Sequence, residues 1–182
     1  MAVLRIDERF VRTWSTRYLE EMSADERAQE ERLFLKIGPA VRAQGSFTRK
    51  QFLEVGEWKS ARSKGLHAHN TDAVVREITT MALGPSMEER LTTLTALRGV
   101  QDAVASALLT VWNPDTYTVT DRRALATLRR AGKFRATGGS APYGLYLAVC
   151  RSIVDGLDIP SGDTSRLRQL DRALWKYSQT HD

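Results

Sequence analysis

Leu97-Arg98-Gly99-Val100-Gln101 is the stretch around which this chain is organised. It lies between two segments of helical apolar spacing and runs directly into Asp102-Ala103-Val104-Ala105-Ser106-Ala107-Leu108-Leu109. Gly99 permits a backbone conformation that a side chain disfavours. Leu97 and Val100 are the apolar anchors of the turn, and the small residues Ala103, Ala105, Ser106 and Ala107 let two helices approach closely. A helix that begins immediately after such a turn presents its free N–H groups and the positive end of its dipole. A phosphate can sit there without any charged side chain. An ordinary αα-hairpin with a glycine at its turn has the same local pattern, so the turn gains meaning only from its surroundings.

Downstream, the helix opened at Asp102 is broken by Asn113-Pro114-Asp115. Residues 117–120 are short and β-branched, and their isolation predicts an extended connector rather than a strand. Asp121 then opens a helix to about Arg130. A loop over 132–142 contains Gly138-Gly139-Ser140. An apolar helix is expected over 143–155, a turn at Ile159-Pro160-Ser161-Gly162, and a last helix capped by Asp163 or Thr164 with Leu167, Leu170, Leu174 and Trp175 inward. Upstream, three capping boxes mark helix starts: Ser23 with Glu26, Thr48 with Gln51, and Ser86 with Glu89. The first helix runs to about Ala43 with Leu33, Phe34, Ile37 and Val41 on one face. The second carries Phe52, Leu53 and Trp58. Asn70 or Thr71 caps a further segment with Val74, Val75, Ile78 and Met81 at helical spacing. A short helix over 87–96 leads into the turn. The fold class is all-α, with no repeat and no low-complexity segment.

Charge supports a polyanionic partner. The 182 residues carry a formal net charge of +5. Acids dominate from Glu20 to Arg32, whereas Arg122, Arg123, Arg129, Arg130, Lys133 and Arg135 form a run of six cations with no acid. Beside a phosphate-binding turn, that one-sided run reads as a nucleic-acid surface rather than a merely solvated face. Cys150 is the single cysteine, which excludes an internal disulfide and a cysteine-ligated cluster. His67 and His69, two apart in a Lys/Gly/His/Asn stretch, read as a solvated loop, and no metal site is expected. No apolar run approaches the ~18 residues of a membrane span, and the first ten residues lack an apolar signal core. The expected location is cytoplasmic.

From Leu94 through Leu109, and on through Pro114-Asp115-Thr116-Tyr117-Thr118-Val119-Thr120-Asp121-Arg122-Arg123-Ala124-Leu125, the sequence resembles the helix-hairpin-helix DNA glycosylase superfamily. That group includes endonuclease III and the 8-oxoguanine glycosylases. In the family a Leu-x-Gly-Val-Gly-x-x-x-Ala hairpin is followed by a helix, a Pro-containing loop and a short extended segment ending in an essential Asp. Asp121, twenty-two residues after Gly99, falls at that position. Trp58-Lys59 and Leu170-Asp171-Arg172-Ala173-Leu174-Trp175 resemble small bacterial members more weakly. The specific match covers residues 86–128.

The resemblance implies a bilobed helical fold. One lobe would be residues 47–118, with the hairpin at 87–112, and the other residues 1–46 with 119–182. Asp121 would lie at the mouth of a cleft between them. It implies a monomer that binds double-stranded DNA as a nucleoid-associated protein, with Arg98, Gly99, Val100, Gln101, Ala103, Arg122 and Arg123 toward the DNA. Trp58, Lys59 and Tyr117 would line a base pocket. Asp121 would be catalytic, since a carboxylate beside the anomeric carbon stabilises an oxocarbenium-like sugar and activates water. Three positions depart from the family pattern. Gln101 replaces the second hairpin glycine. Ala103 replaces the lysine nucleophile of the lyases, so base removal without lysine-driven strand cleavage is implied. The iron–sulfur cysteines are absent, leaving room only for a monovalent cation at the hairpin. A non-catalytic hairpin module that binds DNA and an all-α protein–protein adaptor are the rival readings.

Overall fold

The computed structural model describes residues 4–84, 89–135, 142–160 and 164–181, and among these no β-strand occurs. The chain divides into two compact units, Ala24–Asn113 and Met1–Ser23 with Pro114–Asp182. Residues 24–46, expected with the terminal helices, therefore pack in the central unit. The division falls at 23/24 and 113/114 rather than 46/47 and 118/119.

In the central unit the chain runs α2 (Ala24–Glu31), a π-helical segment (Arg32–Ile37), α3 (Gly38–Gln44), α4 (Arg49–Ser60), α5 (Lys64–His67), α6 (Asp72–Leu83), α7 (Arg90–Leu94) and α8 (Asp102–Trp112). The widened turn ends with the Gly38 N–H donating to the Leu33 carbonyl, just before Pro39, which has no N–H to continue a regular ladder. Leu33, Ile37 and Val41 face inward as expected, and Phe34 meets Trp58 edge-to-face at 5.8 Å. Gly45, at φ +74°, ends α3. The Thr48 capping box forms with both of its hydrogen bonds. α8 is the centre of the unit: every residue from 104 to 111 is buried, and α4, α3, α7 and the π segment pack around it. A Cβ on Gly38 would run into the Val111 carbonyl, so the glycine is what lets α3 approach α8.

α6 resolves one expectation and corrects another. Thr71, not Asn70, caps it, and Val74 and Met81 are exposed while Val75, Thr79, Ala82 and Leu83 face the core. Thr79 can take an inward position because its hydroxyl donates to the Val75 carbonyl and accepts from the Phe47 N–H. The capping box at Ser86 lies outside the described residues. α7 ends at Leu94, two residues before the expected end, because i→i+3 bonds from Thr95, Ala96 and Leu97 tighten the chain into the turn.

The other unit is α1 (Glu8–Glu20), α9 (Arg122–Arg130), α10 (Tyr143–Asp155) and α11 (Arg166–His181). α1 packs along α11, which also carries α9 and α10. Phe10, Trp14, Tyr177 and His181 form one aromatic cluster with centroids 4.1–5.4 Å apart in the closest pairs. α11 is capped by Ser165, whose hydroxyl accepts from the Arg168 N–H at 3.1 Å, rather than by Thr164. Asp163 and the Gly138-Gly139-Ser140 loop lie outside the described residues. No helix among the described residues is long and apolar enough to cross a membrane.

Candidate functional site: the hairpin and Asp121

Gly99 adopts φ +79°, the left-handed region that disfavours any side chain. A Cβ there would also lie 2.7 Å from the Leu66 Cβ and 2.9 Å from His67 Cδ2, so glycine is required twice over. Leu97 and Val100 are buried, and the Val100 N–H closes the turn on the Leu97 carbonyl at 3.1 Å. Gln101 is the N-cap residue of α8 in extended conformation; its carbonyl accepts from Val104 and Ala105, and its side chain caps nothing. The first amides of α8 thus have neither an intrahelical partner nor a side-chain cap. Arg98, Gln101 and Asp102 are exposed around them, while Gly99 and Ala103 are half-buried. Asp102 adds a carboxylate to the first turn, where it complements the dipole. Val100 is an anchor and can meet a ligand only through its backbone.

The turn is braced from α5 and the residues after it. The Arg98 N–H donates to Asn70 Oδ1 at 2.9 Å, and Asn70 Nδ2 donates to the Arg98 carbonyl at 3.0 Å and to the His67 carbonyl at 3.0 Å. His67 Nε2 is 3.1 Å from the Gly99 carbonyl; since a carbonyl only accepts, Nε2 carries the hydrogen. The ring is fully buried, packs edge-to-face on Phe52 at 5.5 Å, and points Nδ1 at Gly56, where no polar partner meets it. His67 and Asn70 are therefore structural parts of the hairpin. The expected solvated loop holds only for His69, which is exposed. The usable sequence signal was Gly56: a glycine inside a helix is destabilising and often marks a close approach. Among the described residues no group of three or more His, Cys, Asp or Glu could hold a metal ion.

Asp121, in the other unit, is the N-cap of α9. Its Oδ1 accepts from the Arg123 N–H at 2.8 Å, and its carbonyl accepts from Leu125. The side chain is half-buried. The connector before it is extended without a strand partner, and side chains satisfy its carbonyls instead. Ser165 Oγ donates to Pro114, Arg151 to Thr116, Tyr143 Oη to Thr118 at 3.0 Å and Tyr146 Oη to Val119 at 3.1 Å. Burial pushes the Tyr143 and Tyr146 hydroxyls well above the usual phenol range, so both remain donors. Tyr143 and Tyr146 are thus what holds the approach to Asp121.

Arg122 is exposed, and Arg123 lies over the Trp175 ring at 5.4 Å. Trp175 meets Tyr18 edge-to-face, and Arg168 and Arg172 each lie 5.8 Å from the Tyr18 ring. Arg168 pairs with Asp171, while burial and then the neighbouring Arg168 lower Arg172 to about 10. Of the residues expected to form a base pocket, Trp58 and Lys59 sit in the central unit and Tyr117 in the other. Trp58 is half-buried against Phe34. No known family, curated protein or solved structure matches this chain.

Proposed function

We propose that this chain binds duplex DNA through the turn at residues 97–101, and that Asp121 serves hydrolytic removal of a base. The observation that carries the reading is the Gly99 turn at φ +79°, which feeds straight into the uncapped N-terminus of α8. Free amides at the positive end of a helix suit a phosphate oxygen, and backbone contacts of that kind hold a duplex without reading its sequence. The exposed Arg98 and Arg122 add non-specific attraction.

In the chemical step, the base would be flipped out of the stack. The Asp121 carboxylate stabilises positive charge at the sugar C1′ and takes a proton from water. Water oxygen bonds to C1′, the N-glycosidic bond breaks, and the base leaves with its bonding pair and is protonated. Ala103 has no amine, so no Schiff base forms at that position. The reaction asks for no cofactor.

A non-catalytic hairpin module is the second reading, and the bond from Arg123 N–H to Asp121 Oδ1 favours it, because that bond is a sufficient reason for an aspartate there. Two measurements separate the readings. Duplex affinity should fall steeply with rising salt as counterions are released. Free-base release from duplexes carrying damaged or modified bases should occur with the wild type and be lost in Asp121→Asn. Binding without release favours the module, and absence of duplex binding at low salt defeats both.

A further inference from the structure

The hairpin turn does not hold itself. Its one internal hydrogen bond runs from Val100 N–H to the Leu97 carbonyl, and both main-chain groups of Arg98 and the carbonyl of Gly99 are engaged from outside by Asn70 and His67. Asn70 pairs with Arg98 as a strand neighbour would, giving an acceptor to its N–H and a donor to its carbonyl. Asn70 is itself buried and tied back to the His67 carbonyl. His67 fills the space between Gly56 and Gly99, where either glycine's Cβ would strike its ring. A ring nitrogen without a partner is an unusual thing to bury. Here the other nitrogen supplies a donor to the Gly99 carbonyl.

We infer that Asn70 and His67 are positioning residues that pre-form the phosphate-binding turn. By engaging the inward-facing main-chain groups of Arg98 and Gly99, they fix the outward direction of the Arg98 side chain and of the first amides of α8. The anion then meets a rigid cradle and loses no affinity to ordering it. This inference rests on the proposed duplex binding at the hairpin. It adds that two residues remote in sequence, touching no DNA, set that affinity.

The test uses the full chain and a short fluorescein-labelled unmodified duplex, titrated at several salt concentrations. Asn70→Asp keeps the acceptor for Arg98 N–H but sets a carboxylate oxygen against two carbonyls. Asn70→Ala removes both functions. Gly45→Ala, in a turn of the same unit where a Cβ would meet nothing within 4 Å, serves as a variant weakened by backbone strain alone. The expected result is about a tenfold or greater loss of affinity for both Asn70 variants, with circular dichroism unchanged. The salt slope should become shallower by about one for each phosphate no longer engaged. Amide exchange at Arg98 should accelerate in Asn70→Ala, with or without DNA, while Gly45→Ala keeps the wild-type affinity and slope. Wild-type affinity and slope in Asn70→Ala, with wild type binding well, overturn the inference alone. So does a parallel loss in Gly45→Ala, which would mean that binding tracks stability. Failure of the wild type to bind duplex at all overturns the hairpin reading and this inference with it.

Discussion

Replacing Gly99 with alanine tests the packing of the turn most directly, because the chain contains its own control. Gly45 and Gly99 both sit in the left-handed region, at φ +74° and +79°. A Cβ on Gly45 would meet nothing among the described residues within 4 Å, so Gly45→Ala exposes only the backbone penalty, about 1–2 kcal/mol. At Gly99 the same penalty applies, and the methyl must also fit against Leu66 Cβ at 2.7 Å, His67 Cδ2 at 2.9 Å and the His67 backbone nitrogen at 3.4 Å. Leu66 Cβ and the His67 nitrogen are fixed to the main chain, and the His67 ring is fully buried and hydrogen-bonded to the Gly99 carbonyl, so no flexible side-chain end can move aside. Overpacking of that kind costs about 1–3 kcal/mol. The sum is about 2–5 kcal/mol, inside the 5–15 kcal/mol that typically holds a folded domain, so the variant should still fold. At roughly 2–4 °C per kcal/mol for a chain of this size, Tm should fall by about 2–8 °C for Gly45→Ala and by about 4–20 °C for Gly99→Ala. Calorimetry or thermal circular dichroism on the two variants reads the difference. Equal losses would refute the close approach of residues 66–67 to the turn, whatever the hairpin binds.

Tyr146→Phe should destabilise by about 1–3 kcal/mol, because it leaves the buried Val119 carbonyl without its donor; urea denaturation reads this, and an unchanged midpoint speaks against the tether. Burial pushes the Cys150 thiol up to about 12. The native protein should therefore resist iodoacetamide at mildly alkaline pH and react once denatured, and rapid native labelling would contradict the burial. Arg32, through a two-point ion pair and hydrogen bond, holds Glu54 below the usual carboxylate range. A depressed folded pKa gives stability that is present above the unfolded value and lost as pH falls through the folded one. The wild type should therefore exceed Glu54→Gln in urea midpoint at about pH 7, and the gap should shrink as the pH is lowered through the carboxylate range; a gap independent of pH would mean that the ion pair does not stabilise the fold.

What the sequence disclosed follows from how local each signal is. Helices α8, α9 and α10 are bounded by Gln101 and Asn113, by Asp121, and by Pro142 and Gly156, all caps and breakers that act within a turn of the chain. Their limits could be read directly. The connector was legible as extended because β-branched residues lie between a proline and a cap, but its fastening was not. Tyr143, Tyr146, Arg151 and Ser165 come from 25 to 51 residues further along, and no local pattern announces a side chain that serves a distant carbonyl. His67 and Asn70 were hidden for the same reason, compounded by a polar neighbourhood that looks solvated. Val74 and Met81 misled because α6 is half wetted, and inward-facing Thr79 and Ala82 break a purely apolar reading of its face. The unit boundary at 23/24 depends on α3 and the π segment choosing α8 as a partner, a pairing that only Gly38 hints at.

Asp121 has two roles in this reading, and they need not compete. Capping asks only for an acceptor at Oδ1, which aspartate and asparagine supply about equally well. Chemistry at an anomeric centre asks for negative charge, which asparagine lacks. Asp121→Asn therefore keeps the bond to the Arg123 amide, and with it most of the stability of α9, while removing the carboxylate. Asp121→Ala removes both and should cost about 1 kcal/mol on top. If the residue acts only as a cap, Asn behaves as wild type in every assay and Ala is merely less stable. If it acts on a bound base, Asn and Ala lose release alike despite their different Tm values. The connector supports the second case. With the carbonyls of Pro114, Thr116, Thr118 and Val119 each held by a side chain, the carboxylate sits at the end of a segment held along its length. Transition-state stabilisation needs that kind of prior positioning, whereas a helix cap can form at the end of an unrestrained loop.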